Sequence, residues 1–169
     1  MSDDVRASVA HHEAGHVAGV LHYGYRFFHV TLDPTNHGWM HAPINTFDPE
    51  KRAVIALCGP IAQAAYLGRK LQMENGDTQI VAHSLASIKT PHRPARDVIV
   101  ARANSIVTRR WAMITRSAQA LLNARGGRLS YDEWARIDAP VARAATLKVA
   151  PDTDGGAGWA SPRWEAYRG

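Results

Sequence analysis

Two histidines and a glutamate near the start of the chain have the spacing of a metal site. His12 and His16 are four residues apart, and Glu13 follows the first of them in a His-Glu-Ala-Gly-His segment. Because positions i and i+4 project from the same face of a helix, both imidazoles can reach one ion. Catalytic zinc prefers such nitrogen ligands and keeps one position for water, so a third protein ligand is required. The segment predicts a zinc site built on a helix.

The glutamate inside this segment indicates what the metal would do. Zinc lowers the pKa of a water that it holds to about 7, so a neighbouring carboxylate can take the proton near neutral pH. Glu13 stands in that position and is predicted to be the general base. The expected reaction is hydrolysis of a peptide bond, with a peptide or protein as the substrate.

Apolar periodicity predicts the elements around these residues. A stripe at helical spacing predicts a helix over about 4–23, with the histidines at the border between core and cleft. The β-branched and aromatic run at 27–32 predicts a strand, and a second short strand is expected near 39–44. The helical stripe consists of Ala10, Ala14, Val17 and Leu21.

Helices are predicted for most of the chain that follows. Asp48 begins a helix that should run toward Gly68, with Pro60 expected to kink or interrupt it. The other expected helices are one from 76 through 88, one long helix over 100–121 that ends before Gly126-Gly127, and a short last one at 130–137. The predicted fold is mainly α-helical with a small β element, which is an α+β domain.

The motif and its surroundings resemble the peptidase domain of FtsH-type ATP-dependent zinc metalloproteases. The Val-Thr-Leu-Asp-Pro segment at 30–34 is similar to a strand that follows the motif in that family. Gly-Pro-Ile-Ala-Gln at 59–63 is similar to the family's Gly-Arg-Ala-Ala-Glu helix, and residues within 121–133 resemble its closing helices. The likeness spans about residues 5–138. It implies a zincin-like His-Glu-x-x-His helix in an FtsH-peptidase-like domain, and a strand near Val30 that could pair with an extended substrate.

The resemblance also implies the third ligand. In the family, a glycine-containing segment ends in an aspartate that completes the zinc site, and Asp77 stands at the corresponding place. The implied ligands are His12, His16 and Asp77, with Glu13 as base and later as proton donor to the leaving amine. Asp77 can also be interpreted as the N-cap of its helix. The fallback ligands are Asp48, Glu50, His37, His41 and His83.

Length and composition predict one domain over 1–149 and a mobile tail over 150–169 that is rich in Pro, Gly, Asp and Ser. The single cysteine favours a reducing cytoplasmic location. No apolar stretch approaches the length of a membrane span, and no GxxxxGK[ST] phosphate loop for ATP is present. The expected protein is a stand-alone peptidase for flexible segments, small substrates or clients presented by a partner. A homo-oligomer is also possible, because the ATPase-linked relatives are hexamers.

Two other functions stay open at this point. One is a non-catalytic module of the same fold that binds metal or a partner. The other is nucleic-acid binding by a predicted helix on which Arg102, Arg109 and Arg116 recur every seven residues. Such spacing is also typical of the solvated face of an amphipathic helix, which is the favoured interpretation.

Overall fold

The computed structural model describes residues 3–70, 73 and 75–137, which form a mainly helical α+β fold. This confirms the predicted fold class, whereas the predicted tail over 150–169 lies outside the described residues. None of the helices in the described ranges is long and apolar enough to cross a membrane. The elements in chain order are α1 (Asp3–His22), β1 (His29–Leu32), β2 (Gly38–His41), α2 (Pro49–Leu67), α3 (Asn75–Ala86), α4 (Arg96–Arg109), α5 (Trp111–Asn123), β3 (Arg128–Ser130) and α6 (Tyr131–Ile137).

The first helix, α1, is the centre of the fold. Every residue from Ala10 to Leu21 is buried, and α2, α4, α5 and the sheet pack around it. The predicted apolar stripe is in the core, but burial extends over all faces of the helix. Small residues allow this enclosure, since a Cβ on Gly15 would collide with the carbonyl oxygen of Cys58. The backbones of α1 and α2 are therefore in direct contact.

The second helix, α2, begins and ends at the predicted residues. The Asp48 carboxylate accepts a hydrogen bond from the backbone N–H of Lys51 at 3.1 Å, and Gly68 closes the helix in the left-handed region at φ 60°. Of the two effects expected of Pro60, a kink or an interruption, the interruption does not occur, because α2 continues through the proline to Leu67. Residues 53–62 are all buried, and packing against α1, α3 and α4 holds the helix together through the proline.

The prediction of one long helix over 100–121 is wrong in one respect, because the chain forms two helices there. Arg110 has φ −105° and ψ 12° and separates α4 from α5. The turn lets α4 pack mainly on α2, while α5 packs on α1. Apolar residues of both helices still face the core, which explains why their spacing reads as continuous.

The three strands form one antiparallel sheet in the order β2-β1-β3. Val30 and Leu32 of β1 point into the core, and the short strand β3 was not predicted. Because β1 is paired on both sides, the expectation that a peptide pairs with the strand near Val30 is wrong. The edge strand beside α1 is β2.

The glycine turn before β3 gives a test of how this strand is held. Gly127 has φ 63°, and a Cβ there would collide with the carbonyl oxygen of Leu32, whereas Gly126 has φ 70° and open space around the same position. Gly126→Ala should lower the free energy of unfolding by about 1 kcal/mol, the cost of a left-handed alanine. Gly127→Ala should lower it by about 3 kcal/mol, because the backbone collision adds to that cost. Chemical denaturation measures both values, and equal losses would contradict close packing of the turn on β1.

Candidate metal centre

Three side chains from two helices meet in the interior. The Nε2 atoms of His12 and His16 are 3.1 Å apart. The carboxylate oxygens of Asp77 lie 3.2 Å from Nε2 of His12 and 3.4 Å from Nε2 of His16. A tetrahedral zinc shell with ligand distances of about 2.0–2.1 Å places its ligand atoms about 3.3 Å apart. Within the described residues this buried group could hold a metal ion.

The two helices bring these residues from distant parts of the sequence. His12 and His16 lie on one face of α1, as their spacing predicts, and both are buried instead of lying at the border of the core. Asp77 comes from the first turn of α3, which begins at Asn75. Because Asp77 lies inside the helix and points to the histidines, its interpretation as the N-cap is wrong.

Hydrogen bonds on the far side of each ring fix which nitrogen faces the centre. Nδ1 of His16 is 3.0 Å from the carbonyl oxygen of Ile55, and Nδ1 of His12 is 3.0 Å from Oε1 of Gln63. A carbonyl oxygen can only accept, so each Nδ1 donates and Nε2 is the ring nitrogen that faces the centre. Two imidazole nitrogens and a carboxylate then face one another. Such an arrangement is stable only with protons or a cation between them.

The carboxylate of Asp77 adds a negative charge to this group. Burial by itself would raise the pKa of Asp77, but the charges and hydrogen bonds of His16 and His12 outweigh it and hold the pKa far below its usual range. The carboxylate is therefore ionised at neutral pH. This is the protonation state that a metal ligand needs.

The predicted base, Glu13, is buried next to this cluster. Its side chain packs against Gly38 of β2, where a Cβ would lie 2.5 Å from Cγ of Glu13. Any larger residue at this position of the strand would require the glutamate side chain to move. Strand β2 therefore packs on α1 at Glu13, the residue after His12. The sequence alone gave no signal for the role of Gly38.

A second glycine, Gly59 of α2, makes room for a ligand. The three atoms nearest to a Cβ built on Gly59 all belong to the imidazole of His16. Because the Ile55 carbonyl holds the other side of that ring, the imidazole cannot move away without losing its hydrogen bond. Gly59 is thus part of the structure that positions His16.

Substitution of this glycine should impair metal binding without weakening the helix. Gly59→Ala is expected to lower zinc affinity at least about 10-fold, because the added methyl group displaces the His16 ring. Alanine otherwise favours a helix over glycine by about 1 kcal/mol, so helix propensity cannot cause the loss. Gly76→Ala is the matched control, since a Cβ on Gly76 has open space around it. Competition with a chromophoric chelator measures both affinities, and unchanged affinity in Gly59→Ala would show that the ring has space to move.

The amide of Gln63 gives a second test of how the ligands are held. Gln63→Leu removes the acceptor for Nδ1 of His12 and should lower zinc affinity about 10- to 100-fold. Gln63→Glu keeps an acceptor oxygen and should bind zinc at least as tightly as the parent protein. The same chelator competition reads both variants. Equal affinity of the leucine variant and the parent would remove Gln63 from the positioning of His12.

The neighbouring His11 lies one residue from His12 and therefore projects from a different face of α1. It is buried, its ring stacks on Tyr66 at 4.1 Å, and its Nδ1 lies 2.8 Å from the carbonyl oxygen of Ala7. Burial lowers the pKa of His11 despite that backbone hydrogen bond. His11 therefore packs behind the site as a neutral ring.

The fallback ligands do not join the cluster. Two of them have other partners, because Asp48 caps α2 and Glu50 is ion-paired with Arg102. His41 stacks on the ring of His29 at 4.2 Å, and the two remaining candidates, His37 and His83, are exposed.

The arginines of the rival nucleic-acid hypothesis lie on the surface. Arg102, Arg109 and Arg116 are all exposed, as expected for a solvated face. The break at Arg110 places the third of them on a different helix from the first two. The ion pair with Glu50 also offsets the charge of Arg102.

Comparison with models of known protein families gives no match to this chain. A search of curated proteins likewise finds no significant match. Function is therefore inferred from the chemistry of the site.

Proposed function

We propose that this protein is a zinc-dependent peptidase of the FtsH-peptidase type in which His12, His16 and Asp77 hold the metal and Glu13 is the general base. The observation that carries the proposal is the convergence of two imidazole nitrogens and a buried carboxylate at the spacing of zinc ligands. Two histidines and one carboxylate with an open fourth position are typical of catalytic zinc, whereas structural zinc has four protein ligands. The ligand set therefore favours chemistry over a purely structural metal.

The residues around the metal have separate tasks in hydrolysis. A zinc ion bound there would polarise the scissile carbonyl and make the attacking water acidic enough to lose a proton near neutral pH. Glu13 accepts that proton and later delivers it to the leaving amine. Its burial excludes bulk water, so the proton is kept for the leaving group. The Ile55 carbonyl and the Gln63 amide hold the ligand rings in place throughout.

Among the described residues no strand pairs with the outer edge of β2, and this edge supports a peptide as the substrate. The carbonyl oxygens of His37 and His41 accept hydrogen bonds from residues at the two ends of β1, at 2.9 and 2.7 Å. In an antiparallel ladder the alternate residues then direct their backbone groups to the open edge, and these are Gly38 and Met40. An extended peptide can pair with such an edge. Gly38 touches Glu13, so a peptide paired there runs past the general base.

Metal content of purified protein is the first test. Protein prepared without chelators should contain about one zinc per chain by elemental analysis, and His16→Ala and Asp77→Ala should each lose it, because a shell with two protein ligands binds zinc weakly. Circular dichroism establishes that the variants are folded. A folded parent that takes up no zinc even when zinc is supplied would overturn the proposal.

Hydrolysis needs its own test, because a bound metal alone does not make an enzyme. The zinc-loaded parent should cleave an unstructured peptide library, detected by mass spectrometry. Glu13→Gln should keep its zinc and lose about 10²- to 10⁴-fold in rate, since it cannot accept the proton. Zinc binding without cleavage, or cleavage that Glu13→Gln leaves unchanged, would instead support a non-catalytic metal-binding module.

A further inference from the structure

A cavity partly lined by α3, the helix that carries Asp77, has a basic side chain in its wall. It measures about 320 Å³ and is lined by Ile44, Asn45, Arg52, Gln79, Ile80 and His83. This volume is at the lower end of the range for ligand pockets, about 300–1,000 Å³. It suits part of a peptide better than a large cofactor.

The cavity is lined by parts of the chain that adjoin the metal centre in sequence. Helix α3 carries both Asp77 and part of the cavity wall, and at 1.5 Å per residue Ile80 and His83 lie about 4.5 and 9 Å further along the helix axis. The helical turn Ile44–Thr46, which follows closely after β2, also lines the cavity. The cavity is therefore bordered by segments that adjoin both Asp77 and the strand with which a peptide would pair.

The arginine in this cavity is fixed in place. Arg52 is half-buried, and its Nε donates a hydrogen bond to Oγ of Ser84 at 2.8 Å. Ser84 itself is fully buried, so this bond anchors the guanidinium group to α3. The two terminal nitrogens of the guanidinium group can bind a carboxylate, because they can donate hydrogen bonds side by side.

The described part of the chain supplies no carboxylate within ion-pair distance of Arg52. The acidic residue nearest to it in sequence, Glu50, pairs with Arg102 instead. Asn45 and the exposed His83 add further hydrogen-bonding groups to the wall. The cavity therefore has an anchored cation and polar neighbours, which is complementary to an anion from outside.

We propose that this cavity binds a carboxylate of the peptide substrate, so that the protein selects peptides with an acidic side chain, or a free C-terminus, close to the scissile bond. The inference rests on the proposed peptidase function and specifies its substrate class. Arg52 is the residue that determines this specificity, with His83 at the rim.

A set of matched fluorogenic peptides tests the selection. One position on each side of the scissile bond carries Glu or its neutral isostere Gln, and each peptide is made with a free or an amidated C-terminus. The zinc-loaded parent should favour the carboxylate-bearing member of a pair about 10- to 100-fold in kcat/KM, as expected for a charge-assisted hydrogen bond. A preference that follows Glu identifies a side chain, and one that disappears on amidation identifies the C-terminus.

Variants assign the preference to the cavity. Arg52→Gln should reduce the ratio to near one, and His83→Glu should reduce it by charge repulsion without removing the bond between Arg52 and Ser84. Arg109→Gln, which removes an exposed arginine outside the cavity, should keep the parent ratio. If Arg52→Gln does not fold, His83→Glu tests whether the cavity causes the preference. Equal rates for both members of every pair, or a ratio that neither cavity variant changes, would overturn the inference.

Binding separates this inference from the proposed reaction. The same peptides are titrated into zinc-loaded Glu13→Gln and followed by fluorescence anisotropy. Tighter binding of the carboxylate-bearing peptide that depends on Arg52 supports the inference even if no peptide is cleaved, in which case the peptidase proposal alone fails. Equal binding of both peptides together with measurable cleavage by the parent overturns the inference and leaves the peptidase proposal standing.

Discussion

The cost of placing ionisable groups in the interior governs this structure. Glu13, both metal-site histidines and Asp77 are all buried, and an ionised carboxylate without a compensating charge is very unfavourable there. Hydrogen bonds around the cluster offset part of this cost, because each ring nitrogen that points away from the centre has a fixed acceptor. The inward nitrogens and the carboxylate then need a cation or protons between them. The fold consequently encloses a group of side chains whose charge must be balanced inside the protein.

The same helix contact provides both the core and the site. Gly15 lets the backbones of α1 and α2 touch, and that contact brings Gly59 and the Ile55 carbonyl up to the ring of His16. A wider separation of the helices would leave a cavity in the core and would also remove the acceptor that sets the tautomer. Packing and ligand orientation are therefore not independent properties of this protein.

Local signals explain how much of this could be predicted from the sequence. The spacing of His12 and His16 and the Asp48 cap depend only on nearby residues, and both are present in the structure. The break at Arg110 has no glycine or proline to mark it, because the turn comes from packing on two different helices. The contact between Gly38 and Glu13 depends on where the sheet lies on α1, which no local pattern encodes. Asp77 was suggested by family resemblance alone, since its distance along the chain leaves no periodic signal.

The complete enclosure of α1 also bears on how this protein can evolve. Between Ala10 and Leu21 no position faces solvent, so this stretch has no surface on which neutral substitutions can accumulate. Helices α4 and α5 each expose a face to solvent, where substitutions are tolerated more easily. Divergence should therefore change the exposed helices first and spare α1 together with the buried stretch of α2 at 53–62. Distant relatives would then remain recognisable by these two packed segments after the surrounding sequence had lost its similarity.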